Sequence, residues 1–246
     1  MRITFAYLVV VDISGYTRFI TERSLTLAHA EQIISDLINA VLDQSRHPMI
    51  LNKLEGDAAL LYREIDRDDV AGARDVLAQV RSFFPAFHAR VAELRAIRSN
   101  CNCDACSNIT ALNLKALVHV GEVAIKQVRQ FDELAGEPVI LLHRLMKNTV
   151  PSREYVLLTQ PATQHAQLEE TNLRAHSEEV DGMGVYRLWI ADPRSLPETR
   201  RPTVTASGKQ PRLMRSNVYQ HLPTASGGFG VTAMNGLRRW WLARRK

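Results

Sequence analysis

Two acids 45 positions apart are the residues of this chain best suited to chemistry. Asp12 ends an apolar run, Val9-Val10-Val11-Asp12, and Ser14-Gly15-Tyr16-Thr17 follows as a tight turn. Asp57 comes directly after a glycine in Lys53-Leu54-Glu55-Gly56-Asp57. Hard divalent cations take oxygen ligands, and two carboxylates at neighbouring strand ends could share two Mg²⁺ or Mn²⁺ ions on a nucleoside triphosphate. The turn would let consecutive backbone N–H groups of Ser14, Gly15, Tyr16 and Thr17 face an anion, with Gly15 permitting close approach. Lys53 could reach a base or a phosphate. Taken singly, each motif has a plainer reading: a turn cap at Asp12 and an ordinary hairpin turn at Gly56-Asp57.

The second group with chemistry is Cys101, Cys103 and Cys106, which are all the cysteines of the chain. An odd number in one short segment argues against a disulfide framework and for reduced thiols or a metal. Three thiolates could bind Zn²⁺ if folding brought a fourth ligand, with His88 and His119 as candidates. The plainer reading is three reduced thiols in a polar loop beside Asn100, Asn102 and Asp104. His29, His143 and His165 fall on helical patterns and are expected to be packing or surface residues.

The elements that must position these groups follow from periodicity. Residues 3–11 form an apolar, β-branched run, the mark of a buried central strand. Apolar residues at helical spacing predict an amphipathic helix over 24–44. Two strands, 49–54 and 58–62, are joined at Glu55-Gly56-Asp57 as a hairpin. Residues 66–98 are helical in pattern, and Pro85 is expected to kink or split them. A strand is predicted over 112–119, a turn at Gly121 and a returning strand over 123–128. Residues 136–148 form a short helix with Pro138 in its first turn. Two further strands cover 155–158 and 184–190. The order β-α-β-β-α-β-β-α-β-β describes an α+β fold, a mixed sheet with helices packed on it, containing a β-α-β-β-α-β core.

Charge divides the chain. Residues 193–246 carry eleven Lys or Arg and one acid, whereas 1–192 carry 20 basic and 25 acidic residues. The expected organisation is a folded, mildly acidic domain over 1–192 and a disordered basic tail over 193–246 that ends in Trp240-Trp241 flanked by arginines. Such an end suits an anionic membrane surface or a nucleic-acid backbone equally well. No apolar run is long enough to span a bilayer and no signal peptide is visible. The expected location is therefore cytoplasmic, with peripheral membrane attachment through the tail as an option.

Taken together, Asp12-Ile13-Ser14-Gly15-Tyr16-Thr17, Glu55-Gly56-Asp57, His119-Val120-Gly121-Glu122 and the segment from Gly136 to Leu145 resemble the class III adenylyl/guanylyl cyclase catalytic domain. The resemblance covers most of the chain and implies a ferredoxin-like nucleotide cyclase core. It also implies a homodimer with active sites at the subunit interface, and ATP or GTP as substrate. In that family the two metal-binding aspartates fall at Asp12 and Asp57, the base-reading lysine at Lys53, an acid at Glu133, and a transition-state arginine at Arg144. The family's transition-state asparagine falls on Ile140, which has no hydrogen-bonding group. Losing one preorganised donor typically lowers rate by about 10²–10³. A more detailed resemblance is to an uncharacterised bacterial cyclase-like family (domain of unknown function 2652). It rests on Cys101-x-Cys103-x-x-Cys106, Glu55-Gly56-Asp57-Ala58 and His143-Arg144-Leu145-Met146-Lys147-Asn148.

Two readings follow from the resemblance. One is a domain that binds a purine nucleoside triphosphate with divalent metal and closes a 3′,5′-cyclic nucleotide. The other is a catalytically degenerate homologue acting as a ligand-binding or signalling module. A third class, a nucleic-acid-binding protein working through its tail, is disfavoured by the acidic body.

Overall fold

The structure, a computed structural model, describes residues 1–16, 19 and 27–198. β1 (Arg2–Ser14) is the central strand, and every residue from 6 to 13 is buried. Its even-numbered and odd-numbered side chains enter two separate apolar clusters, as expected for a strand covered on both faces. β1 pairs antiparallel with β3 (Ala58–Glu64) on one side and with β4 (Asn113–Val128) on the other. β2 (Ile50–Glu55) lies outside β3. Beyond β4 come β6 (Tyr155–Thr159), parallel to it, then β8 (Gly184–Ala191) and β7 (Arg174–Val180), each antiparallel to its neighbour. β5 (Phe131–Ala135) pairs with the far end of β4.

Helices α1 (Leu27–Leu42) and α2 (Val70–Ile97) cover one face through Ile33, Leu37, Val76, Phe83 and Phe87. The short helix α3 (Asp104–Ser107) and α5 (Gln160–His165) belong to the same layer. On the opposite face α4 (Glu137–Leu145) sets Val139, Leu141, Leu142 and Leu145 against Ala6, Leu8, Val10 and Leu117. The succession β1-α1-β2-β3-α2-β4 with sheet order β2-β3-β1-β4 is the expected β-α-β-β-α-β core. The α+β fold predicted from the sequence, a mixed sheet with helices packed on it, is therefore the fold of the protein.

Several local expectations are corrected. Pro85 does not split its helix: α2 runs unbroken for 28 residues. The proline penalty of about 3 kcal/mol is outweighed by burying Phe83, Phe84, Phe87 and Leu94, each contributing about 1.5–3 kcal/mol. Gly121 does not turn the chain, because β4 is one 16-residue strand that passes straight through it. A Cβ at Gly121 would stand 2.8 Å from Pro138 Cγ, so glycine is needed there for α4 to approach β4. β5, α5 and β7 had no counterpart in the sequence pattern. Just past Asp192, Leu196 is buried, and its carbonyl accepts a 2.6 Å hydrogen bond from Arg81. The expected tail from residue 199 onward lies outside the described residues. None of the helices among the described residues is long and apolar enough to cross a membrane.

Candidate functional site

Asp12 is the last residue of β1 paired with β3 and lies in register with Ala58 on that side and Lys115 on the other. Asp57 follows Gly56, whose φ of +69° puts the hairpin tip in the left-handed region that favours glycine. The Asp57 carbonyl accepts a 3.1 Å hydrogen bond from the Ile13 N–H, which binds the hairpin tip to β1. The two carboxyls meet. Burial pushes Asp57 up to about 8, and the neighbouring charge of Asp12 together with a hydrogen bond shared with it act in the same direction. The Asp57 backbone N–H and the charge of Lys115 act against this rise.

Lys115 is the member of this cluster that sequence reasoning missed. Its ammonium lies 3.0 Å from Asp12 Oδ2 and donates to the Met146 carbonyl at 3.1 Å. The only sequence signal was a lysine interrupting an otherwise apolar strand. Its partner becomes visible only with the β1–β4 register.

A second polar group stands on β2, β5 and α4. Lys53 Nζ lies 3.6 Å from Glu55 and 3.6 Å from Glu133. β5 reaches back to β2, although β3, β1 and β4 lie between them in the sheet, and Asn52 donates to the Asp132 carbonyl at 2.7 Å. This closure brings Lys53 and Glu133 together. His143 is not merely a surface or packing residue, since its Nδ1 lies 3.2 Å from Glu55 Oε2. Burial disfavours ionisation of Glu55, but His143 and Lys53 more than offset it and hold the carboxyl below its usual range.

The remaining predicted residues divide as follows. Ser14 ends β1, and Gly15, with φ +96°, turns the chain at Tyr16, whose hydroxyl donates to Glu31 at 3.1 Å. Thr17 lies outside the described residues. Arg144 is not at the carboxylates: its guanidinium bonds the carbonyl and, at 3.0 Å, the carboxylate of Asp181 in the β7–β8 turn. Ile140, one helical turn before Arg144, is 52% exposed on α4. His119 is buried, with Nδ1 2.8 Å from Thr159 Oγ1, and burial pushes its pKa down to about 4. Two open clefts, of about 390 Å³ beside Asp36 and Arg90 and about 510 Å³ beside His88 and Arg95, are lined by none of the acidic or basic residues above.

The three cysteines do find a histidine, but it is neither of the two expected. His88 pairs with Glu154 and His119 with Thr159. His29, near the start of α1, places Nδ1 3.7 Å from Cys101 Sγ, 3.5 Å from Cys103 Sγ and 3.8 Å from Cys106 Sγ. The four donor atoms lie within 4.8 Å of one another.

Comparison with known proteins agrees with this geometry at the level of fold. Residues 34–155 match the family described as "Protein of unknown function (DUF2652)". The uncharacterized protein Rv2561/Rv2562 of Mycobacterium tuberculosis is 35% identical over 131 residues, 53% of this chain and 59% of that protein. The chain thus spans less than two thirds of that relative. Among solved structures, the adenylyl cyclase CyaB from P. aeruginosa has a TM-score of 0.57 at 12% identity, covering 81% of this chain and 97% of its own. A bacterial light-regulated adenylyl cyclase has a TM-score of 0.57 at 11% identity, covering 80% and 53%. The guanylyl cyclase Cya2 has 0.52 at 12%, covering 82% and 96%.

Proposed function

We propose, for a chain that matches the family of unknown function DUF2652 over residues 34–155 and has the class III nucleotide cyclase fold, that Asp12 and Asp57 bind a purine nucleoside triphosphate through Mg²⁺ or Mn²⁺. The observation that carries this reading is the meeting of the two carboxyls at the end of β1 and the tip of the β2–β3 hairpin. Their donor set suits a hard divalent cation. Two partly buried carboxyls face one ammonium, Lys115, and a divalent cation would take the place of the proton that burial and the charge of Asp12 hold on Asp57. When bound, the metal supplies charge neutralisation of the triphosphate and acidification of the ribose 3′-hydroxyl.

The chain's own residues take the other parts. The turn at Ser14, Gly15 and Tyr16 would receive phosphate oxygens on backbone N–H groups. Lys53 and Glu133 offer a donor and an acceptor side by side, the complement of the acceptor–donor edge that a purine presents. Among the described residues no ion pair or hydrogen bond joins this pair to the Asp12–Asp57–Lys115 cluster. In our reading, which follows the resemblance to class III cyclases, two copies of the chain pair, one presenting the carboxylates and the other Lys53, Glu133 and Arg144. Ring closure would be attack of the 3′-oxygen on the α-phosphorus with pyrophosphate leaving. Arg144, released from Asp181, would offset charge on the phosphoryl oxygens.

Ile140 favours a second reading, a domain that binds the nucleotide and does not turn it over, because no amide donor stands one helical turn before Arg144. One experiment separates the two. The protein is incubated with ATP or GTP and Mn²⁺, and both binding and cyclic product are measured beside Asp57→Ala. Binding with product that depends on Asp57 supports the enzyme, and binding without product supports the module. Equal binding by both proteins removes the metal role of Asp57.

A further inference from the structure

We propose that His29, Cys101, Cys103 and Cys106 hold one zinc ion that fastens the start of α1 to the connection between α2 and β4. The distances carry the argument. Zinc bonded tetrahedrally to sulfur at about 2.3 Å and to imidazole nitrogen at about 2.0–2.1 Å separates nitrogen from each sulfur by roughly 3.5 Å, and sulfurs from each other by roughly 3.8 Å. The three observed Nδ1-to-Sγ distances are 3.7, 3.5 and 3.8 Å. Hydrogen bonding alone does not account for this arrangement. An imidazole nitrogen has one lone pair and accepts one S–H, yet three sulfurs stand almost equally far from it.

The surroundings suit a closed structural centre. Cys103 caps α3, and its sulfur accepts the Cys106 N–H at 3.4 Å, a contact that steadies a thiolate. Cys106 is buried, and Cys101 and Cys103 are half-buried. Three thiolates, one neutral imidazole and Zn²⁺ leave one net negative charge, and the Arg98 guanidinium stands beside Cys101 and Cys106 to offset it. Four protein donors fill a tetrahedral ion, so no position is left for a substrate and the role is structural.

The centre would also brace the turn after Asp12 from two sides. A Cβ at Gly15 would stand 3.4 Å from the Ala111 carbonyl, in the 3₁₀ turn Ile109–Ala111 that follows α3. The Tyr16 hydroxyl reaches Glu31, two residues beyond His29 on α1. The zinc proposal does not depend on whether that turn takes a nucleotide.

The test uses the full chain. Its zinc content is measured after purification, the metal is exchanged for Co²⁺, and the absorption spectrum is recorded. The expected result is one zinc per chain. With Co²⁺ it is a near-ultraviolet thiolate-to-metal band together with the intense visible bands of a tetrahedral site. His29→Ala and Cys103→Ser should each lose the metal at least tenfold more readily to a chelator, whereas Asp57→Ala should retain it fully. If a variant fails to fold, the wild type decides alone: a strong chelator should lower its melting temperature and zinc should restore it. A chain that retains no zinc and shows no thiolate-to-Co²⁺ band overturns the proposal. So does a folded His29→Ala with an unchanged spectrum.

Discussion

Lys115 Nζ lies 3.0 Å from Asp12 Oδ2 across the β1–β4 register, and both side chains are largely buried. The lysine is therefore the resident counter-charge of the acidic pair. Replacing it with methionine keeps the aliphatic volume and removes that charge. Lys115→Met should lower metal-free stability by about 3 kcal/mol, the scale for stranding one partner of a buried ion pair. Added Mn²⁺ should restore part of the loss. Urea midpoints with and without the ion check this, and equal losses in both conditions would separate Lys115 from any cation site.

Asp57 gives the pair a pH signature. Its folded-state pKa, pushed up to about 8, stands above its ordinary value of 3.8. Between those values the folded chain binds more protons than the unfolded one, so stability falls as pH rises, by at most about 1.4 kcal/mol per unit. Asp57→Asn should flatten that slope in chelator and make the variant more stable than the wild type at pH 8. In the wild type Mn²⁺ affinity should climb by up to about tenfold per unit as pH approaches 8, since ligands must lose protons to bind. Parallel melting curves for the two proteins across this range would contradict the coupling.

His119 has the opposite sign. Its folded-state pKa of about 4 lies below the ordinary 6.5, so the unfolded chain binds more protons in between. Stability is then lost as pH falls from about 6.5 to about 4, by at most about 3.4 kcal/mol. His119→Gln should lose less in acid than the wild type. The difference in urea midpoint between the two, followed from pH 7 to pH 4, checks it, and a constant difference would place the acid sensitivity elsewhere.

On α4, Ile140→Asn restores a donor one turn before Arg144. If the fold turns over nucleotide at all, cyclic product should rise by about 10²-fold or more in this variant. Arg144→Ala in that background should abolish the gain. It should change stability by no more than about 1 kcal/mol, because the Arg144–Asp181 pair is exposed. Product assays and thermal melts on the two variants separate chemistry from folding. An unchanged product level in Ile140→Asn would place the defect outside this helix.

The strands that carry the acidic pair were legible because their signals are local. An apolar run ending at Asp12 and a glycine before Asp57 fix two strand ends, and the fold brings them together. The surrounding groups were not legible for the same reason in reverse. Lys115 meets Asp12 only through strand register, and His29 meets the cysteines only through helix placement. Neither leaves a periodic trace. Gly121 had two possible explanations, a turn or a close approach, and only the packing of α4 decides between them. β5 escaped notice because only Leu134 of its five residues is buried, which leaves no alternation to read. The split expected at Pro85 did not follow because the local penalty at one residue says nothing of the phenylalanines that its helix buries.

β1 is enclosed from residue 6 to residue 13, so Asp12 stands on a strand that both cores hold in place. Asp57 sits beside an open hairpin tip, where a Cβ at Gly56 would touch nothing within 4 Å. The two acids are thus an anvil and a finger: one on a strand enclosed from both faces, the other tied to that strand through its carbonyl but next to a hairpin tip with open space around it. Capture of a guest between them would be read as quieting of the hairpin, while amide exchange along the strand stays at the pace of whole-domain opening.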